Sequence, residues 1–294
     1  MTRKTALTRA QFEDRFFGVL RWFVLAFLVL ITVLPFYYMV LLSLKPIDAL
    51  LLDPGSLWIS AKDFTFSTYE DVLRSTQDGG QGFLNFLLNS ALVSLGTVIL
   101  TLVAAVPGAY AVSRLKFFGH RRISSLFLAV YLFPTTLLAV PLFVVFAKIG
   151  LSSSLVGLAI VYVAQTVPVT IYMLKNYLVT IPASIEEAAA LDGASRLQTV
   201  RKVILPLALP SLMATGLYVF MIAWNEFLFA LLFLAADPDK WTVSLGLAQL
   251  SNGIEVPKTV LMAGSVVLTI PVVLLFFAAE RLLTEGLTSG ADKS

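Results

Sequence analysis

Residues 181–210 read IPASIEEAAALDGASRLQTVRKVILPLALP, the longest polar interruption in the second half of a very apolar chain. Two capping-box spacings, in which Ser is followed three residues later by Glu or Gln, begin at Ser184 and at Ser195 and mark helix starts. Gly193 lies between them and fits a helix end, because glycine adopts left-handed backbone angles at low cost. The stretch therefore predicts two short helices joined by a tight turn outside the membrane.

Each of the two predicted helices has an apolar face. Ile185, Ala188 and Ala189 recur at helical spacing in the first helix, and Leu197 and Ile204 line one side of the second. The alanine-rich face of the first helix is small and smooth. It could therefore be approached closely by another protein.

The composition is that of a membrane protein. Of the 294 residues, 58% are hydrophobic and 13% are charged, and the mean hydropathy is +0.88, whereas soluble domains carry about 25% charged residues. The chain has no cysteine and one histidine, His120, which excludes a disulfide framework and a Cys/His metal site. No GxxxxGK[ST] phosphate loop occurs, so the chain lacks the usual ATP-binding signature, and no catalytic set of side chains is evident.

Six apolar runs are long enough to cross a bilayer as helices. These predicted spans cover about 22–44, 83–112, 123–146, 155–178, 207–235 and 259–283. Residues 1–21 are basic and aromatic and predict an amphipathic segment at the membrane interface, and residues 284–294 form a tail. The predicted fold class is an all-α membrane protein with six transmembrane helices over 22–283.

The distribution of basic residues predicts the orientation. Fifteen of the 21 Lys and Arg residues lie in 1–21, 114–122, 175–202 and 281–294, and six lie on the opposite side. Because basic loops stay in the cytoplasm, both termini and residues 181–206 are expected there. Loops 45–82 and 236–258 are expected to face outward.

Residues 187–206 resemble the EAA loop of the membrane subunits of ABC importers. The family pattern is Glu-Ala-Ala, a glycine four residues later, an aliphatic residue ten after that glycine, and then x-Leu-Pro. This chain meets every element, with Val203 where isoleucine is commoner. The resemblance implies a type I ABC importer permease in which 181–206, called the coupling loop below, carries a cytoplasmic coupling helix. The residues that it assigns to contact with an ATPase are Glu187, Ala188, Ala189, Asp192, Gly193, Ala194, Leu205 and Pro206.

The same resemblance implies the partners. A second homologous permease, two ATPase subunits and an extracytoplasmic sugar-binding protein would assemble with this chain in the cytoplasmic membrane of a prokaryote. ATP and Mg would be bound by the ATPase subunits. The chain itself is expected to be a transport subunit, without enzymatic activity, cofactor or nucleic-acid partner, that contacts the lipid bilayer.

A second match concerns the cargo. Residues 224–227, Trp-Asn-Glu-Phe, resemble the matching span of carbohydrate-type importer subunits, especially the maltose kind, which favours a disaccharide such as trehalose or maltose. Glu226 is the one ionisable residue well inside a predicted span. Either Asn225 and Glu226 bind sugar hydroxyls or form a gate, or Glu226 makes a structural hydrogen bond or reaches the interface. Tyr218 and Gln165 are further candidates for the substrate path.

The outward loops and the tail carry weaker signals. Ser251, Asn252 and Gly253 predict a turn that either reaches into the sugar-binding protein, as the resemblance implies, or is part of a plain connection. Asn85 and Asn89 share a helix face, which indicates structural hydrogen bonds. The tail residues 285–290 also resemble the end of the maltose-type subunit, which contacts the ATPases.

Other functions stay open at this point. An ABC permease for a non-sugar solute, such as a polyamine or phosphate, is the nearer alternative. An ion-coupled secondary transporter would depend on Glu226. A membrane scaffold or receptor would need neither proline-broken spans nor internal polar groups.

Overall fold

The computed structural model describes residues 9–252 and 256–291, which are helical and contain no strand. The chain divides into two units, 1–71 with 255–266 and 72–254 with 267–294. The helices are α1 Arg9–Ser43, α2 Ile47–Leu52, α3 Ser67–Leu73, α4 Phe83–Arg114, α5 His120–Leu132, α6 Ala139–Lys148, α7 Leu155–Thr180, α8 Ala183–Leu191, α9 Arg196–Thr199, α10 Leu205–Leu207, α11 Leu209–Asn225, α12 Leu228–Leu234, α13 Val243–Asn252 and α14 Lys258–Ala291. Short 3-10 turns occur at Thr76–Asp78, Thr135–Leu138 and Pro238–Lys240, and Val200–Ile204 is π-helical.

Four of the described helices are long and apolar enough to cross a bilayer. They contain the segments Arg15–Ser43, Phe83–Arg114, Leu155–Thr180 and Lys258–Glu280. Two further helix pairs pass the same test but are sharply bent, Ser125–Leu132 with Thr135–Lys148 by 76° and Arg196–Leu207 with Leu209–Asn225 by 75°. The number of spans is therefore four, or up to six if each bent pair crosses as one.

In the first unit, α1 is tied to the loop that follows it. The Tyr37 hydroxyl donates to the Leu57 carbonyl (2.6 Å) and the Tyr38 hydroxyl to the Pro54 carbonyl (2.9 Å). Ser43 Oγ lies 2.6 Å from the Tyr69 hydroxyl. Most side chains along the apolar part of α1 are exposed, which suits a helix whose surroundings are lipid or another membrane protein.

In the second unit, α4 and α7 pack closely because small residues line their contact. Ala105 and Ala109 are fully buried there, and a Cβ on Gly108 would come within 3.1 Å of Ile171 Cδ1. The Thr101 and Thr166 hydroxyls pair across the same contact at 2.8 Å. Small side chains let backbones approach, and paired hydroxyls leave no polar group open to the hydrocarbon.

A second cluster of buried side chains lies nearer the other end of α7. Tyr162, Phe229 and Phe233 are its large members, and Phe143 and Phe146 contact the Phe233 ring edge-on at 5.7 and 5.4 Å. Aromatic pairs in this geometry are favourable beyond their buried area. The cluster joins α6, α7 and α12.

The structure corrects several predicted boundaries. The predicted span 123–146 is broken after α5, where Pro134 is followed by a 3-10 turn. The predicted span 207–235 is broken at residues 226–227, between α11 and α12. Prolines and uncapped turns inside apolar runs produce such breaks. Both breaks fall where the sequence predicted continuous helices.

The chain ends and the second outward loop also differ from expectation. Residues 9–21 are the first turns of α1 itself, with no break before the predicted span, and α14 continues to Ala291 through most of the predicted tail. The loop 236–258 contains α13, whose Val243 and Leu245 are fully buried. A Cβ on Gly246 would overlap the Phe86 ring, so α13 packs tightly on α4.

Candidate functional site

The turn in the coupling loop is a helix C-cap closed by Gly193. Its φ is 82°, its N–H donates to the Ala190 carbonyl (3.0 Å), and the Ala194 N–H donates to the Ala189 carbonyl (3.0 Å). These two bonds form a Schellman motif, which satisfies the last carbonyls of α8. The prediction that Gly193 ends the first helix is confirmed.

The two predicted capping boxes have different outcomes. At the second, the Ser195 N–H donates to Gln198 Oε1 (2.8 Å) and the Gln198 N–H donates to Ser195 Oγ (3.4 Å), so this box is confirmed. The box predicted at Ser184 is wrong. Pro182 occupies the N-cap and α8 begins at Ala183 without a side-chain cap, so Ser184 already lies inside the first turn.

From α9 the chain runs through the π-helical residues and α10 to a bend at Ala208, where α11 begins. Ile204 and Ala208 are 1% and 2% exposed and pack with Ile181 against α4 and α7. The Tyr177 hydroxyl donates to the Leu207 carbonyl at 3.1 Å. The coupling loop is therefore fixed to the end of α11 by a buried apolar anchor.

A second connection joins the coupling loop to α4. Arg114 Nε lies 2.7 Å from Glu186 Oε1, with both side chains about one-sixth exposed, and an Arg114 terminal nitrogen donates to the Ile181 carbonyl at 2.6 Å. The Tyr110 hydroxyl donates to Glu186 Oε2 at 2.8 Å. Charge-assisted bonds of this kind are among the stronger polar contacts. Sequence reasoning missed this network, which pairs residues more than 70 positions apart.

The outer surface of the coupling loop exposes apolar and acidic side chains. Leu191 and Leu197 are 89% and 77% exposed, and Glu187 is exposed beside them. Leu197 was expected to lie on the packed face of its helix with Ile204, but only Ile204 is buried. Large apolar side chains exposed together on a polar loop indicate a surface that another protein covers.

The other predicted coupling residues divide between surface and anchor. Ala188, Asp192, Gly193 and Pro206 are exposed, Ala194 and Leu205 are half-buried, and Ala189 is buried. The Glu-Ala-Ala run thus presents its first two residues outward and packs the third inward.

Glu226 lies at the helix break in the predicted fifth span. Its Oε2 accepts from the Tyr162 hydroxyl (2.6 Å) and from the Ala230 N–H (3.1 Å), and its Oε1 accepts from the Phe229 N–H (2.9 Å). Its own carbonyl accepts from Ser244 Oγ at 2.6 Å. The carboxylate therefore caps the start of α12 and joins it to α7, in place of lying within a continuous span.

The structure does not bring the other substrate-path candidates onto Glu226. The Asn225 side chain is exposed and donates to the Met221 carbonyl of its own helix at 2.8 Å. Tyr218 bonds to Tyr131, which lines a cavity of about 470 Å³ between α5, α6 and α7. Gln165 lines the same cavity, and its buried Nε2 has no hydrogen-bond partner among the described residues.

The outward-facing predictions are partly confirmed. Asn85 and Asn89 both donate to the Asp239 carbonyl, at 2.6 and 2.9 Å, so their expected structural role is confirmed. Ser251 and Asn252 end α13, so the turn predicted to start at Ser251 is wrong, and Gly253 lies outside the described residues.

Within 9–252 and 256–291, no group of three or more His, Cys, Asp or Glu side chains is placed to hold a metal ion. Several apolar helices and a polar helical loop with an exposed apolar surface define a membrane protein that is built to contact a soluble partner. Residues 97–288 match the family described as "Binding-protein-dependent transport system inner membrane component". The chain belongs to this family and is thus an ABC importer permease, a multi-pass inner membrane protein and a transport component.

Individual relatives agree with the family over nearly the whole chain. The inner membrane ABC transporter permease protein YcjP of Escherichia coli is 36% identical over 92% of this chain and 94% of its own. The trehalose/maltose transport system permease protein MalG of Thermococcus litoralis is 36% identical over 90% and 92%. A chain of the crystal structure of a bacterial ABC transporter that imports the polysaccharide alginate matches with TM-score 0.77 and 25% identity, over 95% of this chain and 99% of that one.

Family membership decides between the two transport mechanisms left open by the sequence. An ion-coupled secondary transporter depended on Glu226 as an intramembrane charge, and that carboxylate is occupied by a tyrosine and two backbone N–H groups. The chain is a component of an ABC importer.

Proposed function

We propose that this chain is a permease subunit of an ATP-driven sugar importer and that its coupling loop docks on an ATPase subunit. It would assemble with a second homologous permease, two ATPase subunits and an extracytoplasmic sugar-binding protein. Both termini and the coupling loop would be cytoplasmic, in agreement with the excess of basic residues on that side.

The observation that carries the coupling proposal is the pairing of an exposed apolar surface with two rigid connections. Leu191 and Leu197 are offered to a partner, while Glu186 holds α8 to α4 and Ile204 anchors the loop below α11. A displacement of the loop by the ATPase would therefore move α4 and α11 together. Packed helices transmit such shifts because interiors are dense and resist compression.

The sugar proposal is supported by the names of relatives and by the cavity beside α7. Carbohydrates are the named cargo of the Thermococcus litoralis relative and of the alginate importer. The cavity of about 470 Å³ offers the aromatic ring of Tyr131 and the unpartnered amide of Gln165. An aromatic wall with a few polar groups is typical of small-molecule sites. Trehalose or maltose is the proposed cargo.

Glu226 is proposed to act as part of a gate rather than as a sugar ligand. Its two carboxylate oxygens already accept three hydrogen bonds that join α7 to the start of α12. A broken helix held by one side chain can reorient at the break when that contact opens. Tyr162 and Glu226 would then be closed in one transport state and separated in another.

The test of the coupling proposal is co-purification in mild detergent. We expect an ATPase subunit to co-purify with the wild type, and we expect Leu191→Asp to release it, because a carboxylate would replace a desolvated apolar contact. Leu52→Asp is the matched control, since Leu52 is 88% exposed on a predicted outward segment. Retention of the ATPase by Leu191→Asp, or equal loss in both variants, would refute docking through this loop.

A further inference from the structure

The segment between α4 and α5 forms a basic cavity that the transport mechanism does not use. Its volume is about 600 Å³, and its lining includes Lys116, Phe117, Phe118, His120 and Arg122. No carboxylate occurs among its lining residues. The cavity lies where two apolar helices end, which is the level of lipid headgroups if α4 and α5 cross the bilayer.

Two of the cations in this cavity are available to a ligand. Lys116 and Arg122 are exposed. Arg114 also lines the cavity, but its guanidinium is bound to Glu186. The His120 imidazole contacts the Val112 carbonyl and the edge of the Phe117 ring. The first turn of α5 contains no acidic residue. The cavity therefore presents positive charge that favours an anion.

An exposed aromatic side chain accompanies these cations. Phe118 is 99% exposed, and Phe117 beside it is 38% exposed. Water solvates such a ring poorly, whereas lipid acyl chains would cover it. A free anion would satisfy the two cations and leave Phe118 in water. A phospholipid would satisfy both features at once.

We propose that residues 115–122 bind the headgroup of an anionic phospholipid, with Lys116 and Arg122 on the phosphate and Phe118 among the acyl chains. Basic residues beside a membrane span attract anionic lipid in this way. Arg114 and Leu115 line both this cavity and the cleft that contains Glu186. A bound lipid would thus lie next to the connection between α4 and the coupling loop. The proposal is independent of the cargo and of ATPase docking.

The test uses the purified complex in nanodiscs of phosphatidylcholine with increasing phosphatidylglycerol. Native mass spectrometry counts the phosphatidylglycerol molecules retained. We expect Lys116→Gln with Arg122→Gln to weaken retention about 25-fold, at about fivefold per cation, and Phe118→Ser to weaken it about tenfold. The charge-matched control is Lys62→Gln with Lys148→Gln, two exposed lysines elsewhere in the chain, which should retain the lipid.

Each alternative has its own result. Unchanged retention in the Lys116 and Arg122 variant would overturn the proposal, as would equal loss in the control, which would indicate a general effect of net charge. Displacement of the lipid by millimolar inorganic phosphate would indicate a free-anion site. A cross-link from Phe118→Cys to an ATPase subunit, without lipid retention, would assign the surface to that protein. Monodisperse elution of each variant checks that it is folded.

Discussion

Replacing Glu186 by glutamine is the sharpest perturbation of the connection between the coupling loop and α4. The amide oxygen of the substituted side chain can still accept from Tyr110, so the hydrogen bond is retained while the ion pair is lost. Arg114 keeps its bond to the Ile181 carbonyl and loses its counter-ion. The change therefore isolates the charge, with little change in side-chain volume.

The expected cost follows from the burial of the pair. Exposed ion pairs contribute about 0–1 kcal/mol, and removing one partner of a fully buried pair costs about 3–5 kcal/mol. Arg114 and Glu186 are 15% and 17% exposed, which lies between these limits. We expect Glu186→Gln to lower the free energy of unfolding by about 2 kcal/mol, or the unfolding temperature by about 5 °C.

The assay is thermal unfolding of the purified subunit in detergent, together with transport per ATP in the reconstituted complex. Glu187→Gln is the neighbouring control, since Glu187 is exposed, and its stability should change by less than about 0.5 kcal/mol. A double-mutant cycle with Arg114→Gln should show a coupling energy of about 1–2 kcal/mol. Additive effects, or equal destabilisation by Glu186→Gln and Glu187→Gln, would refute the proposed connection.

Three further substitutions test other parts of the structure by thermal unfolding. Gly193→Ala should cost about 1 kcal/mol, since its φ is 82° and no atom lies within 4 Å of an added Cβ, so the cost is conformational alone; an unchanged midpoint would contradict the left-handed cap. Tyr162→Phe should cost about 2 kcal/mol, because Glu226 loses a charged hydrogen bond, and its effect should disappear in a Glu226→Gln background. Gly246→Ala should destabilise by more than about 1 kcal/mol, because the methyl group would overlap the Phe86 ring.

Gly96→Ala is the control for the glycine substitutions. Gly96 lies inside α4 with no atom within 4 Å of an added Cβ and without a positive φ. Alanine there should be neutral or stabilising by up to about 1 kcal/mol. If Gly96→Ala and Gly246→Ala destabilise equally, close packing of α13 is not the reason for the glycine.

The features that the sequence predicted correctly depend on neighbours along the chain. Gly193 as a helix end and the Ser195 capping box each need only a few consecutive residues. The box at Ser184 failed for an equally local reason, because Pro182 precedes it and allows the helix to begin one residue earlier. The helices of the apolar segments followed from their length and composition alone.

The features that were missed depend on contacts distant in sequence. Glu186 and Glu187 are adjacent and chemically identical, so nothing local indicates which one reaches Arg114. The break at Glu226 lies in a run that stays apolar on both sides. A carboxylate in such a run is itself a signal for a helix start, because it can accept from N–H groups three and four residues later. Its partner Tyr162 carried no such signal.

The most direct test of the account is sugar uptake into proteoliposomes that contain the complex purified from native membranes. Radiolabelled trehalose or maltose, the sugar-binding protein and internal ATP are supplied, and the wild type is compared with Glu187→Lys. The account predicts uptake that requires both ATP and the binding protein and that Glu187→Lys abolishes. Uptake without ATP, or full uptake by Glu187→Lys, would contradict it.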